Sequence, residues 1–175
     1  MAEIGRWSRL RGEDSHGEPM PPFRVVAIPD EVAVSVRANL IAPVYGHPAH
    51  AEVAKGYGPC RLCLRTFTVG AERRILFTYD SFHEKEKLPL PGPVFIHEAD
   101  CERYPEAGGF PEDLRAHALT LNAYGLGRRL VAQEYVADGR VEAVIARLFA
   151  RADVDYIHVR DTEAGCFDCA IERAA

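Results

Sequence analysis

The chain has no apolar run approaching the roughly 18 to 20 residues a membrane span requires, so no transmembrane helix is expected. Its opening residues, MAEIGRWSRLRGEDSHGEPMPP, lack the apolar core of a secretory signal. Basic residues are not in excess: 21 Lys and Arg stand against 26 Asp and Glu, a formal net charge of −5. With arginines scattered apart from short pairs, this argues against nucleic acid as a partner. Several catalytic signatures are missing: no G-x-S-x-G elbow, no P-loop, no G-x-G-x-x-G after a strand and no H-E-x-x-H. Cysteine is sparse, and its odd count of five excludes a fully paired disulfide framework. These absences point to a cytoplasmic protein with no membrane contact, whose cysteines are free, metal-bound or redox-active.

What is present suits a folded domain. The 175 residues are 47% apolar and 27% charged, enough for one domain burying about two-thirds of its unfolded surface. Residues 1–22 are polar and aperiodic and read as a flexible arm, in which Trp7 either pins the arm to the domain or a second subunit or lies exposed; residues 23–175 read as a single α+β domain. FRVVAI at 23–28 has strand composition. EVAVSVRANL reads as a helix begun at Pro-Asp, although Val32, Val34 and Val36 also alternate as in a strand. Residues 42–61 read as a long ordered loop. LCLRTFTV and RRILFTYD flank Gly70-Ala-Glu as a hairpin, PGPVFIH forms a further strand, and ALTLNAYG and RRLVAQEYV make a second hairpin. The one main amphipathic helix is expected near 140–151, with Val141, Val144, Ile145, Leu148 and Phe149 on one face. VDYIHVRD and GCFDCAIER close the chain as strands. Hairpins with a late helix imply a mostly antiparallel sheet.

The chemistry-bearing residues cluster in few places. Cys60-Arg-Leu-Cys63 and Cys166-Phe-Asp-Cys169 are two C-x-x-C units, a spacing that lets two thiolates from one turn reach a single zinc ion. If GCFDCAIER is a regular strand, however, Cys166 and Cys169 face opposite sides of the sheet. A second set lies closer in sequence: His47-Pro-Ala-His50 followed by Cys60 and Cys63 would make a mixed His2Cys2 zinc site fixing the long loop. The same thiol pair supports a redox reading, with Arg61 favouring the thiolate. His97 ends PGPVFIH, with Cys101 four residues later. His158 and Arg160 alternate onto one strand face, and with His97 they form a candidate small-anion site. The carboxylates of DTEAG and HEAD single out no acid/base pair.

Together, YGHPAH, GYGPCRLCLRTF, RILFTYDSF, PGPVFIHEADCERY and YIHVRDTEAGCF resemble a bacterial family catalogued as domain of unknown function family 1203. The resemblance runs from about residue 23 to the C-terminus. It implies a small single-domain bacterial protein without an assigned activity, and it places the Cys60 turn, His97, His158 and the Gly165-Cys166 step in the family pattern. Three functional readings follow. The first is a binding or structural module with zinc on Cys60, Cys63, His47 and His50. The second is a thiol redox enzyme or sensor using Cys60 and Cys63. The third is a small-anion-binding module using His97, His158 and Arg160, with Arg61 a further ligand-binding candidate.

Overall fold

Alternating apolar residues build two antiparallel sheets, and the computed structural model describes residues 23–82, 85 and 90–174 of the chain. The flexible arm expected over 1–22, with Trp7, lies outside the described residues. Strands β1 (Phe23–Val26), β5 (Leu119–Gly125), β6 (Arg129–Val136), β7 (Tyr156–Asp161) and β8 (Phe167–Arg173) form a five-stranded sheet ordered β1-β8-β7-β5-β6. Strands β2 (His50–Val53), β3 (Arg73–Asp80) and β4 (Pro91–His97) form a three-stranded sheet in that order. Every strand pairing is antiparallel. Among the described residues no helix is long and apolar enough to cross a membrane.

Helices α1 (Asp30–Asn39), α2 (Glu112–Arg115) and α3 (Val141–Phe149) complete an α+β fold. Helix α3 buries Val141, Ile145, Leu148 and Phe149, the stripe visible in the sequence, against Leu121, Ala123, Ile157, Val159, Cys169 and Ile171 of the large sheet. Each such side chain contributes on the order of 1.5 to 3 kcal/mol on leaving water. No single helix dominates, because α1 is one residue longer and buries Ala33 and Val36 in a second core. That core joins Ile75, Phe77, Val94 and Ile96 of the small sheet to Cys60, Leu62 and Cys63, and to Phe167 and Ala170 of β8. The large sheet therefore has α3 on one face, with the small sheet and α1 on the other.

Three local expectations are corrected. Residues 42–61 are not loop throughout, because β2 lies within them and pairs with β3. LCLRTFTV is not a strand: the chain turns at 61–63 and continues without regular structure. Its residues 62, 63 and 64 are all buried, so no alternation exists to define a sheet face. The hairpin expected at Gly70 is instead a connection over 54–72, closed at its base where Ala54 N–H donates to the Glu72 carbonyl and Gly70 N–H to that of Ala54.

Candidate metal centre

The 54–72 connection folds into a knot of main-chain hydrogen bonds around Cys60. Cys60 N–H donates to the Arg65 carbonyl at 2.9 Å, and Leu64 N–H returns to the Cys60 carbonyl at 2.8 Å. Closing this turn requires Leu64 at φ +59°, a left-handed conformation that costs a non-glycine residue on the order of 1 to 2 kcal/mol. Burial of the Leu64 side chain in the main core helps to offset it. Neighbouring segments fix the turn from outside: Arg61 N–H donates to the Phe95 carbonyl of β4, Ile28 N–H to that of Arg61, and Tyr104 N–H to that of Leu62. The end of β4 and the segment after it are thus clamped against the thiols.

The result gathers Cys60, Cys63, His97 and Cys101, whose donor atoms all lie within 4.8 Å of one another. Cys60 Sγ is 3.8 Å from Cys101 Sγ, and Cys63 Sγ is 3.4 Å from His97 Nδ1. Tetrahedral zinc with bonds of about 2.3 Å to sulfur and 2.0 to 2.1 Å to nitrogen implies S···S edges near 3.8 Å and S···N edges near 3.5 Å. The spacing therefore fits a tetrahedral ion, and three soft thiolates with one imidazole suit zinc. Cys60, Cys63 and His97 are buried, and Cys101 is half-buried.

Surrounding groups tune the four donors. Arg37 of α1 donates through Nε to the His97 carbonyl at 3.0 Å and through Nη2 to Cys101 Sγ at 3.3 Å. The His97 N–H reaches Cys60 Sγ at 3.3 Å. Among the described residues His97 Nε2 has no close hydrogen-bond partner but faces the Glu72 carboxylate at 3.5 Å, the placement of a carboxylate behind a metal-bound imidazole. Donation from the Cys101 and Cys60 thiols holds Cys63 far below the usual thiol range, with His97 and the Arg65 backbone adding to it. Burial, then the neighbouring thiols, pushes Cys60 up. Burial opposes a charge on His97, yet bonds to Cys101 and Cys63 raise it to about 9. The cluster thus already favours thiolate at one corner, and metal binding would displace its remaining protons.

His47 and His50 are not among the gathered donors. His47 Nδ1 lies 3.4 Å from Thr78 Oγ1, and His50 is exposed on β2, so the expected His2Cys2 set is replaced by one using His97 and Cys101. The signal was present in H-x3-C at residues 97–101, but only the β4 register shows that it faces the Cys60 turn. The four-cysteine set is not assembled either. Cys169 is fully buried in the α3 core, whereas Cys166 is half-buried, with its thiol 3.8 Å from the Ala164 carbonyl.

Arg61 and His158 are both interior. Arg61 is 2% exposed; its Nε donates to the Phe167 carbonyl at 2.6 Å and its Nη1 to that of Pro59 at 2.5 Å. Its Nη2 pairs with Asp168 Oδ1 at 3.0 Å, and burial pushes that carboxyl up to about 6 despite the cation beside it. Arg61 therefore ties the Cys60 turn to β8 rather than facing a ligand. His158 is 0% exposed, enclosed by the rings of Phe82, Phe167, Tyr124 and Tyr156 at centroid distances of 4.6 to 5.2 Å. Among the described residues neither of its nitrogens has a hydrogen-bond partner, and burial, then the Arg160 and Lys85 charges, lowers it to about 3. Arg160 donates to the Gly165 carbonyl at 3.0 Å. With His97 among the thiols and His158 sealed, the expected anion site has no shared surface. The Asp161 carboxylate of DTEAG accepts from Tyr57 Oη and the Ala164 N–H, which fixes a turn.

Residues 57–173, which carry all four donors, match the family described as Protein of unknown function (DUF1203). The chain belongs to that family. No curated protein and no solved structure matches it. The matched span begins just before the Cys60 turn and ends with β8, so it contains all four candidate donors and the strand that Arg61 ties to them.

Proposed function

We propose that this DUF1203 protein is a structural or binding module in which Cys60, Cys63, His97 and Cys101 hold one zinc ion that stabilises the fold. The observation that carries this reading is the pair of edges at 3.8 and 3.4 Å within a buried Cys3His set. Four protein ligands leave no open position, the mark of structural rather than catalytic zinc. An ion there would join the 54–72 connection and the segment after β4, two pieces of chain with little regular structure of their own, to the end of β4. Arg61, between the two thiols of the turn, would pass that restraint to β8.

Metal analysis of protein purified without an affinity tag tests the reading. One equivalent of zinc per chain is expected, lost in His97→Ala and kept in a His47→Ala/His50→Ala double variant. Metal-free protein with Cys60 and Cys63 freely titratable in the native state refutes it.

A further inference from the structure

The three thiols differ in access and in nearest neighbour. Cys60 and Cys63 are buried at 0% and 7% exposure, whereas Cys101 is half-buried in the irregular segment after β4. Cys63 Sγ lies 3.4 Å from His97 Nδ1 and within 4.8 Å of both other sulfurs, while among the described residues the sulfur–sulfur pair in hydrogen-bond contact is Cys60 Sγ and Cys101 Sγ at 3.8 Å. A disulfide of about 2.05 Å needs those two sulfurs to close by roughly 1.8 Å, which a side-chain rotation in the irregular segment can supply. Arg37 Nη2, 3.3 Å from Cys101 Sγ, places positive charge where an oxyanion would leave.

We propose that Cys60 and Cys101 form a reversible disulfide on exposure to peroxide, making the metal centre an oxidation-sensitive switch; the proposal rests on the zinc reading for the ion it releases. The Cys101 thiolate attacks one oxygen of hydrogen peroxide, forming an S–O bond as the O–O bond breaks. The departing hydroxide takes a proton to become water, and Cys101 is left as a sulfenic acid. Cys60 sulfur then attacks Cys101 sulfur, an S–S bond forms, the S–O bond breaks, and a second hydroxide is protonated to water. Two thiols and one peroxide thus give one disulfide and two waters. Only Cys63 and His97 then remain as donors, too few for a closed site, so the ion leaves. The new bond still joins the turn to the segment after β4, which preserves the local chain path.

The sequence makes the product readable. Arg61 lies between Cys60 and Cys63, so trypsin separates GYGPCR from LCLR, and Cys101 falls in a third peptide ending HEADCER. The full chain loaded with one equivalent of zinc is treated with hydrogen peroxide, free zinc is followed with a chromogenic chelator, and blocked, digested protein is mapped by mass spectrometry. The expected result is GYGPCR linked to the HEADCER peptide, with zinc released in step and the link reversed by dithiothreitol. Cys63→Ser keeps the link in metal-free protein and Cys101→Ser abolishes it. A GYGPCR–LCLR link, or sulfonic acids without any link, overturns the proposal. Zinc that binds and survives peroxide without a link refutes the switch and leaves the metal reading standing. A link formed in a chain that binds no zinc refutes the metal reading and keeps the disulfide.

Discussion

His158→Phe is expected to stabilise the protein, and by more at acid pH than at neutral pH. The wild-type imidazole is fully buried among four aromatic rings, and its ring nitrogens meet no partner among the described residues. Leaving a buried polar group unsatisfied costs on the order of 1 to 3 kcal/mol. Phenylalanine removes that cost; its slightly larger ring sets an overpacking cost of about 1 kcal/mol against the gain. The net at pH 7 is a stabilisation of about 1 kcal/mol. The pH dependence is the sharper part. The folded-state value is lowered to about 3 from the usual 6.5, so the histidine contributes stability that is present above 6.5 and lost as pH falls towards 3. The unfolded chain takes up the proton that the folded one refuses. Between pH 7 and pH 5 this linkage removes about 2 kcal/mol from the wild type and nothing from the variant. Urea unfolding followed by tryptophan-independent far-UV circular dichroism at pH 7, 6 and 5 measures both proteins. The difference between them cancels contributions common to both, including those of Asp168 and the metal centre. A difference that stays constant with pH, or a variant less stable at pH 5, refutes the argument that His158 is held neutral by its cage.

The buried Arg61–Asp168 pair gives a second prediction. Arg61→Met strands the Asp168 carboxylate and should cost about 3 to 5 kcal/mol in urea unfolding at neutral pH; a cost below about 1 kcal/mol would refute the pairing. Asp168→Leu added to Arg61→Met should recover part of that loss, a positive coupling in a double-mutant cycle. Gly125→Ala should cost about 1 to 3 kcal/mol, because a Cβ there would press into the Asp153 carbonyl oxygen and lie 3.2 Å from Val131 Cγ2. Thermal unfolding measures that loss, and an unchanged midpoint would show that the 125–153 approach is not tight. Removing zinc with a chelator should lower the unfolding temperature of the wild type and leave that of His97→Ala unchanged, read by the same scan.

Local pattern carried much of the fold. The β1 strand, helix α1, the β5–β6 hairpin, the stripe on α3 and the two closing strands were legible because each is set by spacing within a dozen residues. The stretch LCLRTFTV misled for the same reason. Its alternation is real, but the turn at Cys60 and the left-handed Leu64 bury successive residues instead of every second one. The short β2 was invisible because its four residues, HAEV, gain strand geometry only from pairing with β3.

Half of the metal centre was legible in the same way. C-x-x-C at 60–63 is a local signature, since two thiolates from one turn can reach one ion. The other two donors were assigned to the nearest histidines in sequence, His47 and His50, and the structure takes His97 and Cys101 instead. Sequence by itself determined the residue types, the antiparallel α+β class and the turn that presents the thiols. Which histidine faces that turn depended on β3–β4 register and on backbone bonds from Arg61 to Phe95 and Tyr104 to Leu62. Those two backbone bonds join residues more than thirty positions apart. A donor's neighbours across a sheet are fixed by packing the whole core, and no spacing within one segment encodes them.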